Sequence, residues 1–264
     1  MTPSTPKSLV IMASHAPVAV IFYRKSHRTT YCLRLDYEKR GQRCRDRLSK
    51  GSRFYGRIFP LRSSLSPDGS LLIYFAMRGR KTGEKSDPST WTALCTPPWL
   101  KAHLFFPNGS TWGGGGVFLR DHRLVVFDTP PKGAGAEYAQ FRGYRLVRDI
   151  KSLPQEEAAA LKAHLQEPES VKYPCPLSKR LMLVRTARSG QLGDYGRYDY
   201  VLQDENGRDI EGAEDIVLAN WAGWDIYGRL LVAAGHELKI YEVKAGRVRE
   251  PGKVLDIEAA LQSG

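Results

Sequence analysis

Short apolar runs separated by turn-forming residues dominate the chain. Pro17–Tyr23 and Thr30–Tyr37 are rich in Val, Ile, Leu and Tyr and flank the polar connector Lys25-Ser-His-Arg28, which predicts a β-hairpin. A strand over Leu71–Ala76 follows Ser66-Pro-Asp-Gly69, where Pro67 presets φ and Gly69 supplies the permissive last position of a turn. Val117-Phe-Leu119 and Leu124–Phe127 predict a second hairpin around Asp121-His-Arg123. Leu181–Val184, Tyr198–Leu202, Leu230–Ala233 and Leu238–Val243 complete the strands, with Asn206-Gly207 as a tight turn. One segment, 152–167, reads as a helix. Ser152 and Gln155 stand at capping-box spacing, Glu156 and Glu157 occupy the first turn, Leu161 and Leu165 share a face, and Pro168 ends it. A short second helix is expected over Ile257–Leu261.

The turn glycines Gly69 and Gly109 lie 40 positions apart, and Gly228 falls close to three further such steps. A spacing of about 40–45 residues is that of a four-stranded propeller blade. Ser66-Pro-Asp-Gly69 followed by Leu71–Phe75 resembles the inner-strand signature of WD40-like and TolB-like bacterial propeller repeats, and Trp224–Val232 with Glu237–Val243 resembles a terminal blade. Ala16-Pro-Val-Ala-Val, Thr90-Trp-Thr-Ala, Pro97-Pro-Trp99 and Thr111-Trp-Gly-Gly-Gly-Gly116 are further similar to an uncharacterised bacterial β-propeller-like group. The resemblance implies an all-β chain, one propeller-like domain over 1–264 of about five four-stranded blades, carrying the helix as an insertion. The N-terminal strand region is expected to pair with the C-terminal sheet and so remove exposed edges. The alternative is two sandwich- or barrel-like halves joined near 130–150, with a flexible break at Thr129–Gly135. A propeller-like frame by itself assigns no activity, because such folds host many unrelated ones.

Charge sharpens the picture. The 264 residues carry 40 Lys+Arg against 28 Asp+Glu, a net +12. From Arg24 to Arg62, 13 cations face three acids (Asp36, Glu38, Asp46), whereas Gln203–Gly264 has seven cations and 12 acids. Arginine outnumbers lysine ten to three in the basic segment, and Tyr31, Tyr37, Phe54, Tyr55 and Phe59 are interleaved with it. Guanidinium and aromatic groups are the residue types that dominate binding hot spots. The expected binding residues are therefore Arg40, Arg43, Arg45, Arg47, Arg53 and Arg57, with Trp99 and Trp112 as exposed aromatic anchors. This predicts a non-catalytic platform for an acidic protein partner. Nucleic acid is an alternative partner for the 24–62 segment, although no recognised nucleic-acid motif is present.

Other chemistries find less support in the residues. Cys32, Cys44, Cys95 and Cys175 form no Cys-x-x-Cys pair, and the six histidines show no ligand spacing, so neither a metal nor a cofactor is called for. Unpaired cysteines, no cleavable leader around Leu9–Tyr23 and no long apolar run predict a soluble cytoplasmic protein with no membrane span. Gly113–Gly116 lacks the Gly-Lys-Ser/Thr ending of a phosphate loop and is expected to serve close packing. The remaining tryptophans are expected in the core. No catalytic residue is assigned, and a carboxylate-based glycoside hydrolase drawing on Asp68, Asp194, Asp199 or Asp225 stands as the enzymatic alternative.

Overall fold

A computed structural model describes residues 6–40, 43–78, 90–111, 113–119, 121–127, 140–147, 153–165, 169–188, 198–210, 216–244 and 247–263. The fold is all-β, with five sheets following one another along the chain and two short helices among the described residues. The first sheet is an antiparallel meander of β1 (Lys7–Met12), β2 (Val18–Ser26), β3 (Thr29–Arg40) and β4 (Arg43–Tyr55). The second repeats that order with β5 (Arg57–Leu65), β6 (Leu72–Met77), β7 (Thr90–Cys95) and β8 (Ala102–Asn108). The third contains β9 (Gly116–Phe118), β10 (Arg123–Val126), β11 (Gln140–Phe141) and β12 (Tyr144–Val147), in the order β11-β12-β10-β9, with β10 and β12 parallel. Helix α1 (Gln155–Leu165) leads to the fourth sheet, β13 (Ser170–Cys175), β14 (Ser178–Ala187) and β15 (Tyr198–Asp204). The fifth is β16 (Trp221–Trp224), β17 (Leu230–Ala234), β18 (Glu237–Lys244) and β19 (Arg247–Asp256), followed by α2 (Ile257–Gln262).

The apolar runs read from the sequence are mostly second strands, and each is apolar throughout because both of its faces are covered. Along β2, Val18, Val20 and Phe22 pack with Ile58, Leu72 and Tyr74 of the second sheet, while Ala19, Ile21 and Tyr23 pack with Leu231, Ala233 and Ile240 of the fifth. On β6, Leu72 and Tyr74 face the first sheet and Ile73 faces Leu124 and Val126 of the third. On β17, Leu231 and Ala233 face the first sheet, whereas Leu230 and Val232 join Leu183, Tyr198 and Tyr200 of the fourth. Period-2 geometry sends alternate side chains to opposite neighbours, so a strand between two sheets has no polar face to keep. The exposed face of the third sheet is covered by α1, whose Leu161 packs with Val125, Val147 and Leu153. Helix α1 thus matches the helical insertion expected at 152–167.

Two expectations need correction. The first strands of the five sheets begin at Lys7, Arg57, Gly116, Ser170 and Trp221, 50 to 59 residues apart, so the 40-residue spacing is not the structural repeat. Gly69 and Gly228 both close the turn after a first strand, but Gly109 lies beyond the last strand of the second sheet. Nor does the N-terminal strand join the C-terminal sheet: β1 pairs with β2, and the fifth sheet is built wholly from residues after 220. First and last sheets meet instead through side chains. Ser8 Oγ donates to the Gly235 carbonyl (2.7 Å), the Ser8 amide donates to Asn220 Oδ1 (3.4 Å), Tyr23 donates to Glu258 (2.6 Å) and Lys50 to the Leu261 carbonyl (2.8 Å).

A buried ionic junction completes this contact. The Arg229 Nε donates to Asp225 (2.6 Å), and its two terminal nitrogens donate to both oxygens of Asp46 on β4 (2.9 and 3.2 Å). The three side chains are 9%, 0% and 2% exposed, so water supplies almost none of their solvation. Burial works against the Arg229 charge, but hydrogen bonds to Asp46 and the field of Asp225 outweigh it and hold its pKa above the usual arginine value. Burial lifts the Asp225 carboxyl above the usual aspartate value, with Arg229 and the amides of Tyr227 and Arg229 pulling it back in part. Tyr37 lies beside the junction, its ring 5.7 Å from the guanidinium carbon.

The glycine run behaves as the sequence suggested, as a place of close approach. A Cβ on Gly115, at φ +96°, would stand 2.2 Å from the Arg62 carbonyl oxygen, and one on Gly114, at φ +92°, would meet the Phe75 ring at 2.2 Å. The Gly115 amide is used by Thr92 Oγ1 (2.7 Å), and Arg62 donates to the carbonyls of Thr111 and Gly113 (2.9 Å each). The run is a packing joint between second and third sheets.

Candidate binding site

Among the described residues two features offer a surface for a partner or ligand: the outer strand β4 and a cavity. On β4, a strand of Arg, Lys and Ser with few apolar positions forms because it need bury only what β3 presents. Register pairs Tyr37 with Asp46, Leu35 with Leu48 and Leu33 with Lys50, and no described strand pairs beyond β4. Arg45 and Arg47 lie opposite Glu38 and Asp36, on the face turned to the second sheet. Lys50, opposite Leu33, falls by simple alternation on the face turned to the fifth sheet, and a bulge between Lys50 and Arg53 brings Arg53, opposite Tyr31, onto that same face. The cations therefore straddle an edge and do not converge on one face. Arg45, Arg47, Lys50 and Arg53 are all exposed. Asp46, the one acid on the strand, is withdrawn into the Arg229 junction.

Of the other expected binding residues, the structure brings Trp99 to this edge. The Ser52 amide donates to the Pro98 carbonyl (3.1 Å) and the Leu100 amide to Ser52 Oγ (2.9 Å), which seats the 96–100 loop beside Arg53. Gly51 makes room, since a Cβ there would lie 2.2 Å from the Pro98 oxygen. Trp99 is 58% exposed and Tyr55, at the strand's end, 59%. Arg53 stacks over Tyr55, 4.5 Å from the ring centroid, so a cation and a ring already form one surface. Arg57 belongs to the next sheet, over Phe59 at 4.7 Å. Arg40 and Arg43 face each other in register at the far end of the β3–β4 hairpin, with side chains outside the described residues, as is Trp112 entirely.

The cavity was not foreseen. It measures about 780 Å³ and is lined by residues from the first strand of every sheet: Leu9–Met12 of β1, Leu61–Leu65 of β5 apart from Arg62, Gly116 and Val117 of β9, Tyr173 and Pro174 of β13, and Trp221–Trp224 of β16. Between Phe59 and Ser64 four residues of β5 stand against the single Tyr74 of β6, and Pro60 and Leu61 of this bulge line the cavity. Arg185 of β14 and Tyr198 and Tyr200 of β15 complete one wall. Trp221 and Trp224, expected in the core, are half-buried in this lining, and Trp224 Nε1 donates to the Tyr173 carbonyl (3.0 Å). Burial raises the pKa of Tyr173 and Tyr200, opposed by the nearby Arg185 charge, so both phenols are neutral in the physiological range. The sequence signal for this wall was aromatic residues two apart at Tyr198 and Tyr200 and a cation inside the apolar run of β14.

The carboxylates of the hydrolase alternative lie elsewhere. Asp225 sits in the ionic junction, Asp68 accepts from Ser66 Oγ and the Ser70 amide in its turn, and Asp199 pairs with Arg188. None of the three lines the cavity, and Asp194 falls outside the described residues. Among the described residues no three His, Cys, Asp or Glu side chains gather as a metal site, and no helix is long and apolar enough to cross a membrane. Cys32, Cys95 and Cys175 are buried thiols, and burial holds Cys32 well above the usual thiol value and pushes Cys95 up to about 12, which disfavours their thiolate forms. Comparison of the chain with protein-family models, with curated proteins and with solved structures returns no match.

Proposed function

We propose that the five sheets form a propeller-like ring acting as a non-catalytic platform, and that an acidic segment of a partner protein docks along the β4 edge. The ring reading is supported by first strands that share one cavity and by apolar clusters joining the first sheet to the second and fifth, the second to the third, and the fourth to the fifth. The docking reading rests on one observation: β4 hides its only acid in the Arg229 junction while exposing Arg45, Arg47, Lys50 and Arg53 beside Trp99 and Tyr55. An outermost strand accepts an extended peptide alongside it, and cations on both of its faces then flank the acidic side chains of that peptide. The exposed rings supply apolar area at the end of the same strip.

The test is fluorescence anisotropy with a labelled Glu-rich peptide and an oligonucleotide of equal charge. The peptide is expected to bind, more weakly as salt rises, and to lose at least tenfold in affinity against R45E/R47E/R53E, whose exposed positions leave the fold intact. Retained peptide affinity in that variant removes the site assignment. Tighter binding of the oligonucleotide than of the peptide replaces the protein partner with nucleic acid.

A further inference from the structure

The cavity carries an inference that does not depend on β4. Among the described residues, Arg185 is the only charged side chain in its lining. Its Nε is buried and donates to no acceptor among the described residues, and no described carboxylate pairs with it. What holds it are rings: the guanidinium carbon stands 4.2 Å from the Tyr198 centroid and 5.6 Å from that of Tyr173. Stacking orients a guanidinium but leaves its in-plane donors unused, and those donors match a planar two-oxygen acceptor. Arg185 is half-buried, and a guanidinium whose buried Nε meets no protein acceptor leaves that donor for an anion that arrives from outside.

We propose that this cavity binds a small aryl carboxylate, its carboxylate forked on Arg185 and its ring against Tyr198, Trp221 and Leu61. The volume lies within the roughly 300–1,000 Å³ typical of small-molecule sites. The walls are mainly apolar and aromatic, which suits a flat ring. One lining cation matches one negative charge. A phosphate dianion would bring a second charge that no other described residue of the lining neutralises.

The probes are 4-phenylbutyrate and 2-naphthylacetate, each compared with its own primary amide by calorimetry and by quenching of tryptophan fluorescence. The acids are expected to bind at least tenfold more tightly than their amides. Arg185→Gln should bring the acids down to the amides' affinity, and Arg185→Lys, which keeps the charge but loses the fork, should fall between. Thermal melts report whether either variant still folds, and if Arg185→Gln does not, the lysine variant carries the comparison. Equal affinity of acid and amide for the wild type, no binding of either up to solubility, or an acid preference that survives Arg185→Gln overturns the proposal.

Discussion

Removing the Arg229 side chain tests how the first and last sheets are held together. In Arg229→Ala, Asp46 and Asp225 lose three charge-assisted hydrogen bonds of 2.6, 2.9 and 3.2 Å while remaining 2% and 0% exposed. Breaking a buried pair by deleting one partner costs about 3–5 kcal/mol, chiefly because a charge is left buried and unmatched. Here two carboxylates are stranded, but each keeps some relief. Lys253 stands 3.7 Å from Asp46 Oδ2, and Asp225 still accepts from two backbone amides at 2.9 Å. The loss of the Tyr37 contact adds about 0.5–1 kcal/mol, so the expected total stays near 3–5 kcal/mol. Set against a usual stability of about 5–15 kcal/mol, that is a large fraction. Urea denaturation followed by far-ultraviolet circular dichroism and by tryptophan fluorescence reads it directly. Without the cation, the burial that already raises Asp225 is no longer opposed by Arg229, so its carboxyl binds a proton more tightly in the folded than in the unfolded chain and the deficit should shrink as the pH falls from neutral towards 4. The combined variant D46L/R229M/D225N, which leaves no buried charge and keeps the turn-holding side chain at 225, should recover most of the loss. A deficit under about 1 kcal/mol for Arg229→Ala, or one that does not change with pH, would refute the reasoning.

Three further outcomes follow from the same contacts. Gly115→Ala forces a Cβ to 2.2 Å from the Arg62 carbonyl at a positive φ, and should cost at least about 2 kcal/mol in denaturant titration, against a smaller loss of about 1 kcal/mol for Gly143→Ala, which meets the strain of φ alone. Gly51→Ala should push the Pro98 loop off β4 and weaken Glu-rich peptide binding through Trp99 while thermal stability changes less, as anisotropy and a melt on the same sample would show. Glu258 is held below the usual glutamate value by the hydrogen bond from Tyr23 and by Lys25, so its contribution is present above about pH 4.5 and fades as pH falls through its lowered folded value. In Glu258→Gln that portion of the acid dependence should vanish, which a pH series of thermal melts would register.

The parts legible in the sequence were those where burial dictates composition. Val18–Tyr23, Leu72–Ala76 and Leu230–Ala233 announce themselves because sheets cover them on both sides, and helix α1 announces itself through its acidic first turn. Strand β4 hid because an outermost strand exposes its side chains, so Arg45, Arg47 and Lys50 read as a charge run and not as a strand. Its cations stand out in the residue order, but the bulge that moves Arg53 onto the opposite face from Arg45 and Arg47 leaves no mark there. The repeat was misjudged because Gly69 and Gly109 share turn chemistry without sharing a place in their sheets. The cavity wall was beyond reach for a related reason: Leu61, Arg185, Tyr198 and Trp221 are far apart in sequence, and only the packing of first strands together makes them neighbours.

The docking reading is tested most directly by amide hydrogen exchange with and without the Glu-rich peptide. Slowed exchange confined to 45–55 and to the loop around Trp99 is the predicted result. Protection centred on the helices or the fourth sheet, with β4 amides unchanged at saturating peptide, would contradict it.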